Sequence, residues 1–251
     1  MKILGIIPAR YASTRFEGKP LAVINGKTMI CRVSEKASQA SLLDKVVVAT
    51  DDTRIAQEVI KNGFNAVITS DRHNNGTSRC AEVVDKPGED FDAVINIQGD
   101  EPFINPEQID SLARLMAHTD ADIATLVKKI SNNEELLSPN AVKAVIGTNG
   151  KALYFSRQAI PYLRGIAQDK WLESHTYYKH LGIYAYRTEV LKKIVTLSPS
   201  ALEKAESLEQ LRWLEHGFTI ATDVTPYENI AIDTPDDLVK AEMYARKIEG
   251  Q

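Results

Sequence analysis

Arg10, Arg15 and Lys19 follow directly on the apolar run Ile3 to Ile7, with Ser13 and Thr14 among them. Arginines grip phosphate oxygens as two-donor forks, and a lysine serves as a point charge. Cations, hydroxyls and Gly18 gathered in one loop suit a polyphosphate; a solvated basic loop is the structural alternative. Asp100 stands in Gly99-Asp100-Glu101-Pro102, just past the apolar run Ala93 to Ile97, and Asp233 follows Ile230-Ala231-Ile232. Carboxylates so placed can hold Mg²⁺, which takes oxygen ligands and shares them with substrate phosphates. For Asp233, turn or capping work is the alternative, since Thr234 also serves there. Two aspartates at two strand ends, with a cationic loop at a third, make a workable nucleotidyl-transfer site.

The elements that must position these groups alternate through the first half. Ile3 to Ile7 has the pattern of a strand buried on both faces, and Pro8, lacking an N–H, should end it. Its loop then lies at the carboxyl end of a first strand, where open α/β sheets bind ligands. Asn25-Gly26 marks a tight turn, and a helix is expected from about Thr28 to Ala40. Val46 to Thr50, Ala66 to Ile68 and Ala93 to Ile97 are further strands. Between them, Ile55, Ala56, Val59 and Ile60 share one helix face, and Thr77 should cap the helix after the polar loop Ser70 to Gly76. Pro106 opens another helix, with Ile109, Leu112, Ala113 and Met116 inward. Strand–helix alternation with short connections implies right-handed crossovers onto a parallel sheet.

The second half is less regular. Ala121 to Val127, Ala141 to Ile146 and Leu181 to Tyr186 are expected strands, and Asn149-Gly150 turns a hairpin into Ala152 to Phe155. Ile160 to Thr176 is polar, carries an exposed-looking Trp171, and is the candidate for an inserted or partner-contacting region. Ser207-Leu208-Glu209-Gln210 has the spacing of a capping box, and Thr234-Pro235-Asp236-Asp237 opens the last helix with cap, proline and acid.

With 251 residues the chain suits one large α/β domain, or one with an insertion. Its net charge of -4 argues against a protein that coats nucleic acid. No apolar segment reaches the ~18 residues of a membrane span. The N-terminus lacks a signal-peptide pattern, and Cys31 and Cys80 without metal spacing fit a reducing cytoplasm. The missing G-x-G-x-x-G weakens a dinucleotide dehydrogenase. Gly26-Lys27-Thr28 imitates the end of a P-loop, but Leu21 occupies the first glycine's place. The scattered histidines have no zinc spacing, and no G-x-S-x-G elbow is present.

The opening Pro8-Ala9-Arg10-Tyr11-Ala12-Ser13-Thr14-Arg15 with Gly18-Lys19-Pro20 closely resembles the signature of the CMP-Kdo synthetase family, the 3-deoxy-manno-octulosonate cytidylyltransferases. The resemblance continues through Val48-Ala49-Thr50-Asp51, Gly76-Thr77 with Arg79, Asn96 to Pro102, Pro139 to Lys143, Ala152 to Arg157, His180 to Tyr184, Leu208 to Arg212 and Asp233-Thr234-Pro235. Phe16-Glu17 departs from the family's usual Leu-Pro, and Asn74-Asn75 from a frequent serine.

The resemblance implies an α/β, Rossmann-like, mainly parallel sheet flanked by helices, of the nucleotide-diphospho-sugar transferase type. It implies a single nucleotidyltransferase domain over 1–251, in which about 130–200 form a smaller sugar-binding and dimerisation lobe. The implied reaction joins CTP and Kdo into CMP-Kdo and pyrophosphate, with Mg²⁺ as cofactor, in a cytoplasmic homodimer serving lipopolysaccharide synthesis. No nucleic acid or membrane partner is implied. Arg10, Lys19, Asp100 and Asp233 would be catalytic, the two aspartates holding the metal. Pro8, Ala9, Arg10, Ser13, Arg15, Lys19, Arg79 and Gln98 would bind CTP. Gln98, Arg157, His180, Tyr184, Glu209 and Gln210 would form the sugar pocket, with Arg157 facing the Kdo carboxylate. Four of them have a structural alternative: His180 as a core histidine, Tyr184 as packing, Glu209 as a surface charge, Gln210 as a capping partner. Activation of 8-amino-Kdo or a sialic acid, and a non-catalytic nucleotide-binding module, are the rival readings.

Overall fold

The computed structural model describes residues 1–12 and 16–250. Two compact units divide the chain, one of residues 1–113 with 228–251 and one of 114–227.

In the first unit four parallel strands lie in the order β6, β1, β4, β5: β1 is Ile3–Ala9, β4 Lys45–Thr50, β5 Ala66–Ile68 and β6 Ala93–Asn96. A small hairpin, β2 (Val23–Ile24) with β3 (Lys27–Thr28), precedes the first helix. The helices α1 (Met29–Ser38), α2 (Thr53–Lys61), α3 (Gly76–Asp85), α4 (Pro106–His118) and α10 (Pro235–Ile248) accompany the sheet. Ile6, Ile7, Val94 and Ile95 are fully buried, as continuous apolar runs in a parallel sheet require.

Strand β1 runs past Pro8, contrary to expectation, and pairs with β4 as far as Ala9 opposite Thr50. The missing N–H does no harm there. Ile97 N donates to Ile6 O at 2.8 Å, so Ile6, and with it Pro8, faces the β6 side, where the ladder has ended. Two helix details also differ. Ile60 is 61 % exposed, because α2 covers the sheet's edge strand, whose Ile68 is exposed as well. Asn75, not Thr77, caps α3, its side chain accepting from Ser78 N. The opening of α10 is as expected: Pro235 takes the first position, and Thr234 and Asp237 exchange hydrogen bonds in a capping box.

The second unit carries a mixed arrangement. β7 (Ile123–Lys129) lies parallel to β11 (Ile220–Val224) and antiparallel to β10 (Tyr178–Arg187), which pairs in turn with β8 (Lys143–Ile146), itself in a hairpin with β9 (Ala152–Ser156). Its helices are α5 (Asn133–Leu137), α6 (Trp171–Ser174), α7 (Thr188–Ile194), α8 (Ala201–Glu206) and α9 (Glu209–Glu215).

Trp171 is 4 % exposed, not a surface residue: it packs with Ile130, Leu136 and Tyr177 and donates its indole N–H to Ile166 O. The expected Ser207 capping box is also displaced. Ser200 and Glu203 make that box at the start of α8, while Ser207 ends the helix with φ 53°. Lys143 is wholly buried, and its ammonium donates to the carbonyls of Ser138, Ala141 and Arg157. Burial pushes its pKa down.

Candidate active site

A cleft in the first unit gathers the ends of its strands. Pro8, Ala9 and Arg10 come from the end of β1, and Lys19 and Pro20 from the short turn after it. His73 to Gly76 and Arg79 come from the loop and first turn of α3. Gln98, Gly99 and Asp100 follow β6, and Asp233 precedes α10. The N-terminus of α3 opens on this cleft, and helix N-termini favour anions.

Close backbone approach shapes the floor. A Cβ on Gly99 would stand 2.6 Å from Pro8 O, and one on Gly76 would meet Pro8 Cγ and Asn96 at 3.2 and 3.3 Å. Glycine is needed at 99 because the turn after β6 lies directly on the end of β1. Gly18 is left-handed, φ 69°, and its N–H donates to Tyr11 O at 2.9 Å, closing the loop on itself. Arg54, held by Asp52, lies 3.5 Å over the Tyr11 ring. Ser13 and Arg15 lie outside the described residues.

The chemistry centres on Lys19. Its Nζ donates to Asp100 Oδ2 at 2.8 Å and reaches Asp233 Oδ1 at 3.3 Å. Both carboxylates thus converge on one cation-sized position and remain partly accessible, at 29 % and 39 %. Two hard oxygen donors open to the cleft fit Mg²⁺, which needs only one or two carboxylates when phosphates complete its shell. Among the described residues no group of three or more His, Cys, Asp or Glu forms a metal cage. The Asp100 turn and the Asp233 segment are also tied by backbone, Ile232 N donating to Asp100 O at 3.0 Å. Glu101, next to Asp100, is 6 % exposed. Burial and the Asp100 charge push its carboxyl up to about 8, against a hydrogen bond from Asn229.

Arg79 is 3 % exposed, and its guanidinium donates to Thr69 Oγ and Ser70 O and pairs with Asp51 at 3.5 Å. It braces the loop that lines the cleft more than it fills it. His73, which sequence reasoning passed over, anchors the same loop on Glu82. Burial would raise the Glu82 carboxyl, but hydrogen bonds from His73, Ser70 N and Lys86 bring it down to about 2.

The remaining candidates lie in the second unit. A register shift in β10 between Leu181 and Tyr184 sets His180 beside Tyr184, ring centroids 5.1 Å apart. Thr125 Oγ donates to Ile183 O at 2.7 Å, so His180 Nε2, 3.0 Å from that oxygen, is the donor to it. Burial takes the imidazole down to about 3, so it is neutral. The Tyr184 hydroxyl is buried without a hydrogen-bond partner among the described residues, and its pKa is raised, by burial, Tyr186 and Glu209 in that order. Tyr184 packs edge-on to Trp213 of α9. Gln210 is 5 % exposed on the same helix, and Glu209 accepts from Arg212. Arg157 spends three N–H groups on backbone carbonyls: Nε on Glu206, Nη1 on Pro139 and Nη2 on Ser207. Its guanidinium therefore holds the α8–α9 junction and, among the described residues, keeps two of its five N–H groups for anything else.

Fold and cleft together define an α/β protein of the nucleotide-binding kind. Residues 4–230 match the cytidylyltransferase family, and the chain belongs to that family. A 3-deoxy-manno-octulosonate cytidylyltransferase of Parabacteroides distasonis is 55% identical over 96% of this chain and 97% of its own. One from Phocaeicola vulgatus is 51% identical over the full length of both. A solved CMP:2-keto-3-deoxy-manno-octonic acid synthetase complexed with CTP superimposes with a TM-score of 0.91 at 41% identity, covering 99% of this chain and 100% of that one. The 4-diphosphocytidyl-2C-methyl-D-erythritol synthase of Anaerococcus prevotii shares the fold, with a TM-score of 0.64 at 13% identity over 98% of this chain and 96% of its own.

Proposed function

We infer that the protein is a 3-deoxy-manno-octulosonate cytidylyltransferase, which joins CTP and Kdo to give CMP-Kdo and pyrophosphate for lipopolysaccharide synthesis. The observation that carries the chemistry is the convergence of Asp100 and Asp233 on Lys19 in the strand-end cleft. Relatives of 51–55% identity along the whole chain support the choice of sugar.

The C2 hydroxyl oxygen of the sugar bonds to the α-phosphorus of CTP as the bond to the pyrophosphate oxygen breaks, and the hydroxyl proton is released to solvent. Catalysis of this kind is mostly positioning and charge neutralisation. Arg10 and Lys19, with Arg15 and Ser13, neutralise the triphosphate and steady the departing pyrophosphate. Pro8 and Ala9 offer backbone to the cytosine, and Arg79 braces the loop beside it. Asp100 and Asp233 would hold Mg²⁺, which would lower the pKa of an attacking hydroxyl and offset phosphate charge. Gln98 is the first unit's candidate for the sugar, and His180, Tyr184, Glu209 and Gln210 are the second unit's. His180 serves as a neutral donor and acceptor, and Arg157 orients the α8–α9 junction while offering its remaining N–H groups to the carboxylate.

No helix among the described residues is long and apolar enough to cross a membrane. A cytoplasmic homodimer is the form we propose, to be read by light scattering. The activity is tested by pyrophosphate release from CTP and Mg²⁺ with Kdo, 8-amino-Kdo and N-acetylneuraminate side by side. Release with Kdo is the expected result. Preference for another acid sugar would reassign the second unit's pocket, and CTP binding without release would point to a non-catalytic module.

A further inference from the structure

We propose that Asn229 is a positioning residue that sets the separation of Asp100 and Asp233, acting through the hydrogen-bonded chain Gln108–Asn229–Glu101, whose two outer members are buried. The proposal rests on the reading of the two aspartates as ligands of a divalent cation.

The chain is continuous and has one orientation. Gln108, fully buried on α4, accepts from Asn105 N at 3.2 Å through Oε1 and donates through Nε2 to Asn229 Oδ1 at 2.7 Å. Asn229 in turn donates through Nδ2 to Glu101 Oε2. The amide oxygen of Asn229 is fixed by a donor and its amide nitrogen by an acceptor, so neither a flip nor an apolar substitute satisfies both neighbours. Asn229 lies four residues before Asp233, and Glu101 follows Asp100 directly. Between them the Asp100 carbonyl accepts from Ile232 N. One side-chain tie and one backbone tie therefore hold the two carboxylate-bearing segments together, and the side-chain tie is anchored on the rigid start of α4.

Among the described residues Asn229 neither lines the cleft nor bonds to Lys19, so its effect passes through Glu101 and the Asp100 turn. Groups that orient metal ligands from behind commonly change metal affinity by roughly 10–100-fold when lost. Loss of Asn229 should therefore be read in divalent-cation affinity, with nucleotide affinity in the absence of metal left alone.

The test is Mn²⁺ titration of the full chain by electron paramagnetic resonance, paired with CTP binding by calorimetry in EDTA. Asn229→Leu is expected to weaken Mn²⁺ binding by about tenfold or more, while CTP binding in EDTA stays within twofold of the native protein. Should Asn229→Leu fail to fold, Gln108→Leu is read in the same way. It keeps the bond to Glu101 but frees the Asn229 amide, and a several-fold loss of Mn²⁺ affinity is expected. If Asp100→Asn abolishes Mn²⁺ binding while the folded Asn229 or Gln108 variant retains it within twofold, the positioning role is overturned. If Asp100→Asn binds Mn²⁺ as the native protein does, the metal reading fails and takes this proposal with it.

Discussion

The Lys19 ammonium stands 2.8 Å from Asp100 Oδ2, across 81 residues of chain, and the same nitrogen reaches Asp233 at 3.3 Å. A cation between two carboxylates marks where positive charge is stable in this cleft. Asp100→Asn is expected to leave the circular dichroism spectrum intact and to cut turnover by about two to three orders of magnitude. Pyrophosphate release under saturating CTP measures it, and an unchanged rate would remove Asp100 from the metal site.

Gly99 tests the packing of the two strand ends. A methyl group there meets the Pro8 carbonyl oxygen at 2.6 Å, and that oxygen is backbone and cannot swing aside as a flexible side chain could. Gly99→Ala should destabilise the protein by about 1–3 kcal/mol and weaken CTP binding, because Pro8 itself lines the cleft. Thermal melts and calorimetry read the two effects separately.

His180 is expected to stay neutral while active. Burial lowers its pKa to about 3, well below the usual histidine value. Its unfolded form takes up a proton below about pH 6.5 and its folded form does not. Folding stability should therefore fall as pH drops from about 6.5 toward 3, and His180→Gln should flatten that slope. An NMR titration that finds its ring protonating near pH 6.5 would contradict the neutral donor role.

The C-terminal helix is fastened by Glu249, which accepts from Arg32 Nη1 and from Asn25 Nδ2 at 2.7 Å. Arg32 first, then Asn25, bring its carboxyl down to about 2. The stabilisation is present above the ordinary glutamate pKa and is lost as pH falls through about 2. Glu249→Gln should lower the melting temperature at pH 7, and the gap to the native protein should close as the buffer is taken from pH 4.5 downward.

Lys143 is a buried cation whose ammonium is held by three backbone carbonyls. Lys143→Met leaves those carbonyls without their donor, at a cost on the order of 3 kcal/mol. Urea unfolding should show a lower midpoint. Because one of the carbonyls belongs to Arg157, KM for the sugar should rise more than KM for CTP.

Much of this protein was legible from local pattern. The apolar runs Ile3–Ile7, Val46–Thr50 and Ala93–Ile97, the Thr234–Asp237 cap and the placing of Asp100 at a strand end all rest on short-range rules of periodicity, capping and turn chemistry, whereas the expected strand Ile230–Ile232 before Asp233 is irregular chain leading into α10. Those rules operate within a few residues, so the chain alone determines them. Tertiary structure decided what long-range neighbours decide. Trp171 is buried because Ile130 and Leu136, over thirty residues earlier, close over it. Ile60 is exposed because its helix covers a sheet edge. Arg157 braces the α8–α9 junction because Glu206 and Ser207 fold back onto it. Asn229 gave no signal at all, since an asparagine in a polar stretch acquires meaning only when Gln108 and Glu101, more than a hundred residues away in the chain, are brought to its two ends. Hydrogen-bond partnership is a property of packed space, and sequence spacing does not encode it.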